Sequence, residues 1–131
     1  MGSKSINLLV LEDDISSLRY ILQVLENIEH NTNVMIAVTI LPDYEKTEIY
    51  INSNPDIKYD ILLLDRDCFL GGSFHAVNLS LFDLDKVISI SSVPEYNTQA
   101  QSKGVRHAIW KDYQNLDQFS QKLEKKILEI I

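Results

Sequence analysis

The chain has 131 residues, of which 45% are hydrophobic and 24% charged, and a formal net charge of −7. This length and apolar content suit one domain and exclude a disordered chain, while the acidic balance argues against a direct grip on nucleic acid. A single cysteine excludes a disulfide framework, and no apolar run approaches the roughly 18 residues of a membrane helix. We therefore expect one cytoplasmic domain at residues 5–131, with no membrane segment.

The first half of the chain alternates short apolar runs with helical patterns. Residues 6–11 predict a strand, and the helical period that follows has Asp14 as its predicted N-cap. Residues 34–41 predict a second strand, after which Pro42 suits the first turn of a helix that continues to about residue 53. Residues 61–64 are all apolar, which is typical of a strand buried on both faces.

The second half continues the same alternation with shorter elements. It contains predicted helices at residues 73–82, 94–103 and 115–131 and predicted strands at residues 87–90 and 105–110. Gly104 is a helix breaker between the second of these helices and the last strand. Five strands alternating with five helices predict a parallel sheet covered on both faces, a doubly wound α/β fold.

Polar side chains follow four of the five predicted strands. They are acids after the first and third strands, hydroxyls after the fourth and an amine after the fifth: Glu12, Asp13, Asp14, Asp65, Asp67, Ser91, Ser92 and Lys111. A single acid after a strand is ordinarily a turn former or a helix cap. In open α/β sheets, however, ligands bind outside the carboxyl ends of the strands. The whole set therefore indicates a site at that edge of the sheet.

These residue types have a specific joint chemistry. Neighbouring carboxylates repel one another, and oxygen-only ligation favours Mg²⁺. A carboxylate can also attack phosphorus and form an aspartyl phosphate. Phosphoryl transfer then needs a metal, a cation and a hydroxyl around the transferred oxygens, and Lys111 and Ser91 are of the required types.

At these residues the sequence resembles the receiver domains of two-component response regulators. The resemblance covers about residues 6–131 and rests on four motifs: Leu8-Leu9-Val10-Leu11-Glu12-Asp13-Asp14, Tyr59-Asp60-Ile61-Leu62-Leu63-Leu64-Asp65, Val87-Ile88-Ser89-Ile90-Ser91-Ser92 and Trp110-Lys111. It implies a flavodoxin-like three-layer sandwich with strand order 2-1-3-4-5, an order for which a chemotaxis regulator of this family is a standard example.

The resemblance also implies a role for each site residue. Asp65 resembles the phosphoacceptor, and Glu12 and Asp13 the acidic pair that holds Mg²⁺, with Asp13 as a direct ligand. Asp65 itself would also bind the metal, together with the backbone carbonyl of Asp67. Ser91 resembles the switch hydroxyl, and Lys111 the lysine that pairs with the phosphoryl group.

The function implied is that of a signalling switch and not of an enzyme acting on other substrates. Asp65 would receive a phosphoryl group from a histidine kinase or a phosphotransfer protein, with Mg²⁺, and lose it by hydrolysis. The change would act on a downstream protein partner or a fused output domain. A phosphorylation-dependent homodimer is compatible with this reading, and direct binding to nucleic acid or membrane is not expected.

The sequence departs from the family pattern at three places. Cys68-Phe69-Leu70-Gly71-Gly72 replaces the usual Met-Pro and later Gly in the loop after Asp65. Asp112 follows Lys111 where the family usually has a cis proline, and a cis bond before another residue costs roughly 2.5–4 kcal/mol. Either that strain is retained here, or the loop after Lys111 differs from that of the family. Ala108 stands where a switch aromatic is common. His107 or Trp110 could replace that aromatic, although alternation along the strand predicts Trp110 in the core.

Two other functions remain open at this point. A receiver-like interaction module that is never phosphorylated would share the fold. A small haloacid-dehalogenase-like phosphatase would share Asp65-Arg66-Asp67, but Phe69 stands where that family usually has Thr or Val. Its metal-binding acids also come late in the chain, whereas Glu12 and Asp13 come early. A flavin-binding protein is disfavoured because these acids would repel a phosphate.

Overall fold

The computed structural model describes residues 4–65 and 83–131. These residues form five strands, four α-helices and one short 3₁₀ helix at Leu84–Lys86. The strands are β1 (Lys4–Leu11), β2 (Val34–Leu41), β3 (Ile61–Asp65), β4 (Val87–Ser91) and β5 (His107–Trp110). The helices are α1 (Ile15–Asn31), α2 (Tyr44–Ser53), α3 (Pro94–Ser102) and α4 (Leu116–Ile130). The helix predicted at residues 73–82 lies outside the described residues.

All five strands are parallel and lie side by side in the order β2-β1-β3-β4-β5. Leu8 of β1 stands opposite Val38 on one side and Ile61 on the other, which fixes the register of the sheet centre. The doubly wound α/β fold and the 2-1-3-4-5 strand order are therefore confirmed. Because the strands are parallel, their carboxyl ends meet at one edge of the sheet.

Alternating side chains of the central strands divide the core into two layers. One layer packs against α1 and α4 and contains Leu8, Val10, Ile61, Leu63, Ile88, Ile90 and Ile109 from the sheet. The other layer lies on the opposite face and contains Leu9, Leu11, Leu62, Leu64 and Val87, with Ile51 of α2 and Ala100 of α3. All five residues of β3 are buried, as expected of a strand covered on both faces.

Short polar residues set the helix ends. Asp14 caps α1 as predicted, and its side chain accepts the backbone N–H of Ser17 at 3.0 Å. For α2 the predicted start at Pro42 is wrong, because Asp43 is the N-cap and accepts the N–H of Lys46 at 2.8 Å. Gly104 follows α3 with φ +98°, a backbone conformation that favours glycine.

The edge strand β5 corrects one prediction about the core. Trp110 is 47% exposed, while its neighbour Ile109 is buried against α4. Alternation along β5 is kept, but the face that carries Trp110 is only partly covered because β5 is the last strand of the sheet. None of the helices in the described ranges is long and apolar enough to cross a bilayer.

Candidate functional site

The acidic end of β1 is fixed by backbone hydrogen bonds. Glu12 follows the last residue of β1 and is fully buried. Its Oε2 atom accepts the backbone N–H groups of Asp13 at 3.1 Å and Asp14 at 3.2 Å, so the chain turns around the Glu12 carboxylate before α1 begins. Asp13 is only half-buried.

Lys111 links the acids of two strands. It directly follows β5, and its ammonium lies 2.8 Å from Glu12 Oε1 and 3.2 Å from Asp65 Oδ2. The side chains of all three residues are at most 1% exposed. Burial works to lower the pKa of Lys111, but the carboxylates of Asp65 and Glu12 outweigh it and raise that pKa above its usual value. Lys111 is therefore a permanent cation inside the site.

Acids outnumber bases among the described residues of this site. Carboxylate oxygens of Glu12, Asp13 and Asp65, which we call the acidic cluster, lie within 4.8 Å of one another. Among the described residues, these three carboxylates meet one ammonium, that of Lys111. A divalent cation with a preference for oxygen ligands would add positive charge between the carboxylates. The donor set therefore fits a hard divalent metal such as Mg²⁺.

Ser91 is the last residue of β4, beside the acidic end of β3. Asp65 stands opposite Ile90 in the sheet register, so Ser91 lies one residue further along the neighbouring strand. Its hydroxyl is buried and accepts the backbone N–H of Val93 at 2.9 Å. Its carbonyl accepts the backbone N–H of Lys111 at 2.8 Å. The sheet thus joins the predicted switch hydroxyl to the strand end that carries the lysine.

The loop after Lys111 accommodates Asp112 without a cis bond. The described residues contain no cis peptide bond, so the bond between Lys111 and Asp112 is trans. Asp112 instead forms a turn: its side chain accepts the N–H of Gln114 at 3.0 Å and its carbonyl accepts the N–H of Asn115 at 2.9 Å. Asn115 then caps α4, because its side-chain oxygen accepts the backbone N–H of Gln118 at 3.1 Å. Of the two expectations at this position, the altered loop is confirmed.

Two residues of this region were not identified from the sequence. The ring of Tyr113 lies over the ammonium of Lys111, with 5.2 Å between Nζ and the ring centroid. Burial raises the pKa of the Tyr113 hydroxyl against the opposing effect of Lys111. Asn97 of α3 is buried; it accepts the hydroxyl of Ser89 at 2.9 Å and donates to the carbonyl of Ile109 at 3.0 Å. The position of Tyr113, an aromatic residue only two places after Lys111, could have pointed to its role. No feature of the sequence pointed to Asn97.

The structure brings together most of the predicted site residues. Glu12, Asp13, Asp65 and Lys111 meet at the carboxyl edge of the sheet, with Ser91 on the adjoining strand end. Asp67, predicted to offer its carbonyl to the metal, and the altered loop at residues 68–72 lie outside the described residues. Ala108, in the position of the missing switch aromatic, is half-buried opposite Ser89.

Comparison with known proteins shows which solved structures share this fold. No family model matches the chain, and no curated protein matches it. Solved structures do match: the Mn²⁺-bound form of the response regulator Rcp1 has a TM-score of 0.75 at 16% identity, with 96% of each chain covered.

Two further solved structures agree. The phosphorylated cyanobacterial phytochrome response regulator RcpA has a TM-score of 0.69 at 17% identity, and covers 92% of this chain and 90% of its own. The response regulator RPA3017 in red light signalling of R. palustris has a TM-score of 0.66 at 21% identity, with the same coverage. The chain therefore has the receiver-domain fold of response regulators, and its acidic cluster could bind a divalent metal.

Proposed function

We propose that residues 5–131 form a receiver domain of a two-component system that accepts a phosphoryl group on Asp65. The donor is a histidine kinase or a phosphotransfer protein, and the reaction requires Mg²⁺. The observation that carries this proposal is the position of Lys111, whose ammonium lies 3.2 Å from Asp65 and 2.8 Å from Glu12 at the buried carboxyl edge of the sheet. The receiver-domain fold of the matching structures supports it.

Each residue of the site has a distinct part in this proposal. Asp65 supplies the nucleophilic carboxylate oxygen. Lys111 already contacts that carboxylate and would pair with a phosphoryl oxygen placed on it. Glu12 holds Lys111 in place, because its Oε1 accepts a hydrogen bond from the ammonium while its Oε2 is fixed by two backbone N–H groups. Ser91 would turn its hydroxyl from Val93 toward the new charge, which couples the site to the start of α3.

Glu12, Asp13 and Asp65 would hold Mg²⁺, with the carbonyl of Asp67 as a further ligand. When bound, the metal would supply positive charge to the transferring phosphoryl oxygens. A phosphoryl group would add negative charge beside the three carboxylates of the acidic cluster, so we expect phosphorylation to be unfavourable without the metal.

Mass spectrometry tests the proposal. The protein is incubated with Mg²⁺ and acetyl phosphate and its intact mass is measured at once and after a delay. We expect a gain of one phosphoryl group that decays with time, and no gain in Asp65→Asn. Asp56→Asn is the matched control, because it makes the same change at an exposed acid in the loop before β3.

The outcomes separate the alternative functions. No gain in the wild-type protein would favour a receiver-like interaction module that is never phosphorylated. Continuous release of phosphate from added phosphate esters, without a stable mass gain, would favour a phosphatase. A gain that persists in Asp65→Asn would place the phosphoryl group elsewhere and contradict the assignment of Asp65.

A further inference from the structure

The strand β2 forms one edge of the sheet and lacks the usual protection of an edge strand. Among the described strands it pairs only with β1, so its outer side presents backbone N–H and C=O groups. Its eight residues include no charged residue, no proline and no glycine. The register with β1 is unbroken from Val34 to Leu41, so β2 has no bulge. Edge strands ordinarily carry a lysine, a proline or a bulge that prevents pairing with another chain.

Apolar side chains of β2 are exposed on both faces of the sheet. Met35 is 62% exposed, and Val38 and Ile40, which point to the other face, are 39% and 38% exposed. The formal charge of −7 works against the approach of two copies of this chain. An uncharged strand, however, brings no like charges of its own face to face when it meets a second copy of itself.

Hydrogen bonds show which residues of β2 direct their backbone groups outward. The carbonyls of Asn33 and Leu41 accept N–H groups from β1 and from the residue that follows it, so the odd-numbered residues bond to β1. Successive residues of a strand direct their backbone groups to opposite sides, so the even-numbered residues face outward. The N–H of Ile36 accordingly donates to Glu29 Oε2 at 2.7 Å.

Two features limit how a second strand can pair with this edge. The outward N–H of Ile36 is taken by Glu29, and Pro42, directly after β2, has no N–H. The residues between these limits whose backbone groups face outward are Val38 and Ile40. In an antiparallel pair of two β2 strands, one register uses both of them and avoids both limits. It places Val38 opposite Ile40 of the second copy, and each such pair exchanges two backbone hydrogen bonds.

We propose that β2 is a self-association edge, at which two copies of this chain pair antiparallel about a two-fold axis that passes beside Thr39. The sheets of the two copies then form one continuous sheet. Thr39 of each copy faces Thr39 of the other, a cross-strand pair that is favourable in antiparallel sheets. A two-fold contact uses the same surface on both copies, and this register does so. The association needs no phosphoryl group and is independent of the chemistry proposed for Asp65.

A cysteine beside the two-fold axis tests the register. Thr39→Cys is made together with Cys68→Ser, because Cys68 is the only native cysteine. The two Cα atoms at position 39 would be about 4.5 Å apart, which is within the reach of a disulfide. Ala37→Cys in the same background is the matched control, because its two copies would be about 14 Å apart along the strands. We expect oxidation to give a covalent dimer of Thr39→Cys and little of Ala37→Cys.

Sedimentation equilibrium without a phosphodonor measures the association itself. We expect the dimer fraction of the wild-type protein to rise with concentration. Val38→Lys and Ile40→Lys should each raise the dimer Kd by about tenfold or more, because each change occurs twice in the contact and replaces apolar cross-strand pairs. Ile49→Lys is the matched control, since it makes the same kind of change at a 65% exposed isoleucine of α2. Thermal unfolding checks that the three variants fold.

Several outcomes would overturn the inference. One is a wild-type protein that stays monomeric at about 1 mM, where an association worth about 4 kcal/mol is half formed. Equal cross-linking of Thr39→Cys and Ala37→Cys would contradict the register. A dimer that both β2 lysine variants leave unchanged, or that Ile49→Lys weakens equally, would place the contact elsewhere. Phosphorylation of Asp65 is not measured in either experiment, so these outcomes leave the proposed function standing.

Discussion

Charged groups occur in two contrasting regions of this molecule. At the carboxyl edge of the sheet, Lys111 lies between Glu12 and Asp65 with almost no exposure of the three side chains. On the surface, Arg106 and Asp85 approach to 3.3 Å while their side chains remain 68% and 59% exposed. A cationic side chain therefore contacts carboxylates in the buried interior at one place and in contact with water at the other.

The contrast shows what each arrangement is suited to do. Water screens the surface pair, which contributes little to stability. The buried ions cannot be compensated by water, so the removal of one partner leaves an isolated charge. A carboxylate held in this way beside a cation and a potential metal site is suited to chemistry, at a cost in stability when any one member is lost.

The largest effect is expected for the buried lysine. Lys111→Met keeps the approximate length of the side chain but leaves the carboxylates of Glu12 and Asp65 without their ammonium. We expect the free energy of unfolding in metal-free buffer to fall by about 3 kcal/mol. Urea unfolding measures this, with Lys122→Met on the exposed face of α4 as the control. If Lys111→Met lowered the free energy of unfolding no more than Lys122→Met does, buried and surface charges would not differ in their contribution to stability.

Metal binding should give the next largest effect. Mg²⁺ at about ten times its Kd should raise the free energy of unfolding by about 1.4 kcal/mol, because the proposed metal site at the acidic cluster is assembled only in the folded chain. Asp13→Asn removes one ligand and should reduce this gain, whereas Asp56→Asn should not. Thermal unfolding of wild type and of each variant, with and without Mg²⁺, measures the gain in stability. An equal gain in wild type and Asp13→Asn would contradict the metal assignment of Asp13.

Loss of the cap at the start of α1 should have an effect on the free energy of unfolding between those expected for the buried ions and for the surface pair. Asp14 accepts both the N–H and the hydroxyl of Ser17, and these hydrogen bonds hold the pKa of the Asp14 carboxyl below its usual value. Asp14→Ala should cost about 1 kcal/mol at neutral pH. Because the folded-state pKa is lowered, this contribution is present above the unfolded-state value of 3.8 and is lost as the pH falls through the folded-state value.

Urea unfolding of wild type and Asp14→Ala as a function of pH checks the sign. The difference between the two proteins should be constant at neutral pH and should shrink in acid below pH 3.8. A difference that grew on acidification would show that the carboxylate destabilises the folded chain.

The smallest effect is expected at the surface pair. Arg106→Ala removes the contact with Asp85, and because both side chains are more than half exposed the loss should be below about 0.5 kcal/mol. The loss should decrease further in high salt, since exposed charges are screened. Urea unfolding at two salt concentrations measures it. A loss comparable to that of Lys111→Met would remove the distinction between buried and surface ions.

The sequence predicted the sheet well because its signals are local. The apolar run at residues 61–64 and the cap at Asp14 each depend on a few neighbouring residues, and both elements are present. Parallel strands then bring distant residues to one edge, so the meeting of Glu12 with Lys111 followed from the strand ends alone.

Other features depend on tertiary context and were missed for that reason. Trp110 is exposed because β5 is an edge strand, which its own alternation cannot reveal. The pairing of Asn97 with Ser89 and Ile109 joins a helix to two strands and has no short-range pattern. The start of α2 was misplaced because Pro42 and Asp43 are both acceptable at a helix end, and the hydrogen bond to Lys46 decides between them.

Chemical trapping of the phosphorylated side chain identifies the phosphoacceptor. The protein is phosphorylated with acetyl phosphate and Mg²⁺, reduced with borohydride, which converts an aspartyl phosphate to homoserine, and mapped by peptide mass spectrometry. We expect homoserine at position 65 in the wild-type protein, and none at that position when the phosphodonor is omitted. Homoserine at another aspartate, or at none, would contradict the claim that Asp65, held by Lys111 beside the acidic cluster, is the phosphoacceptor.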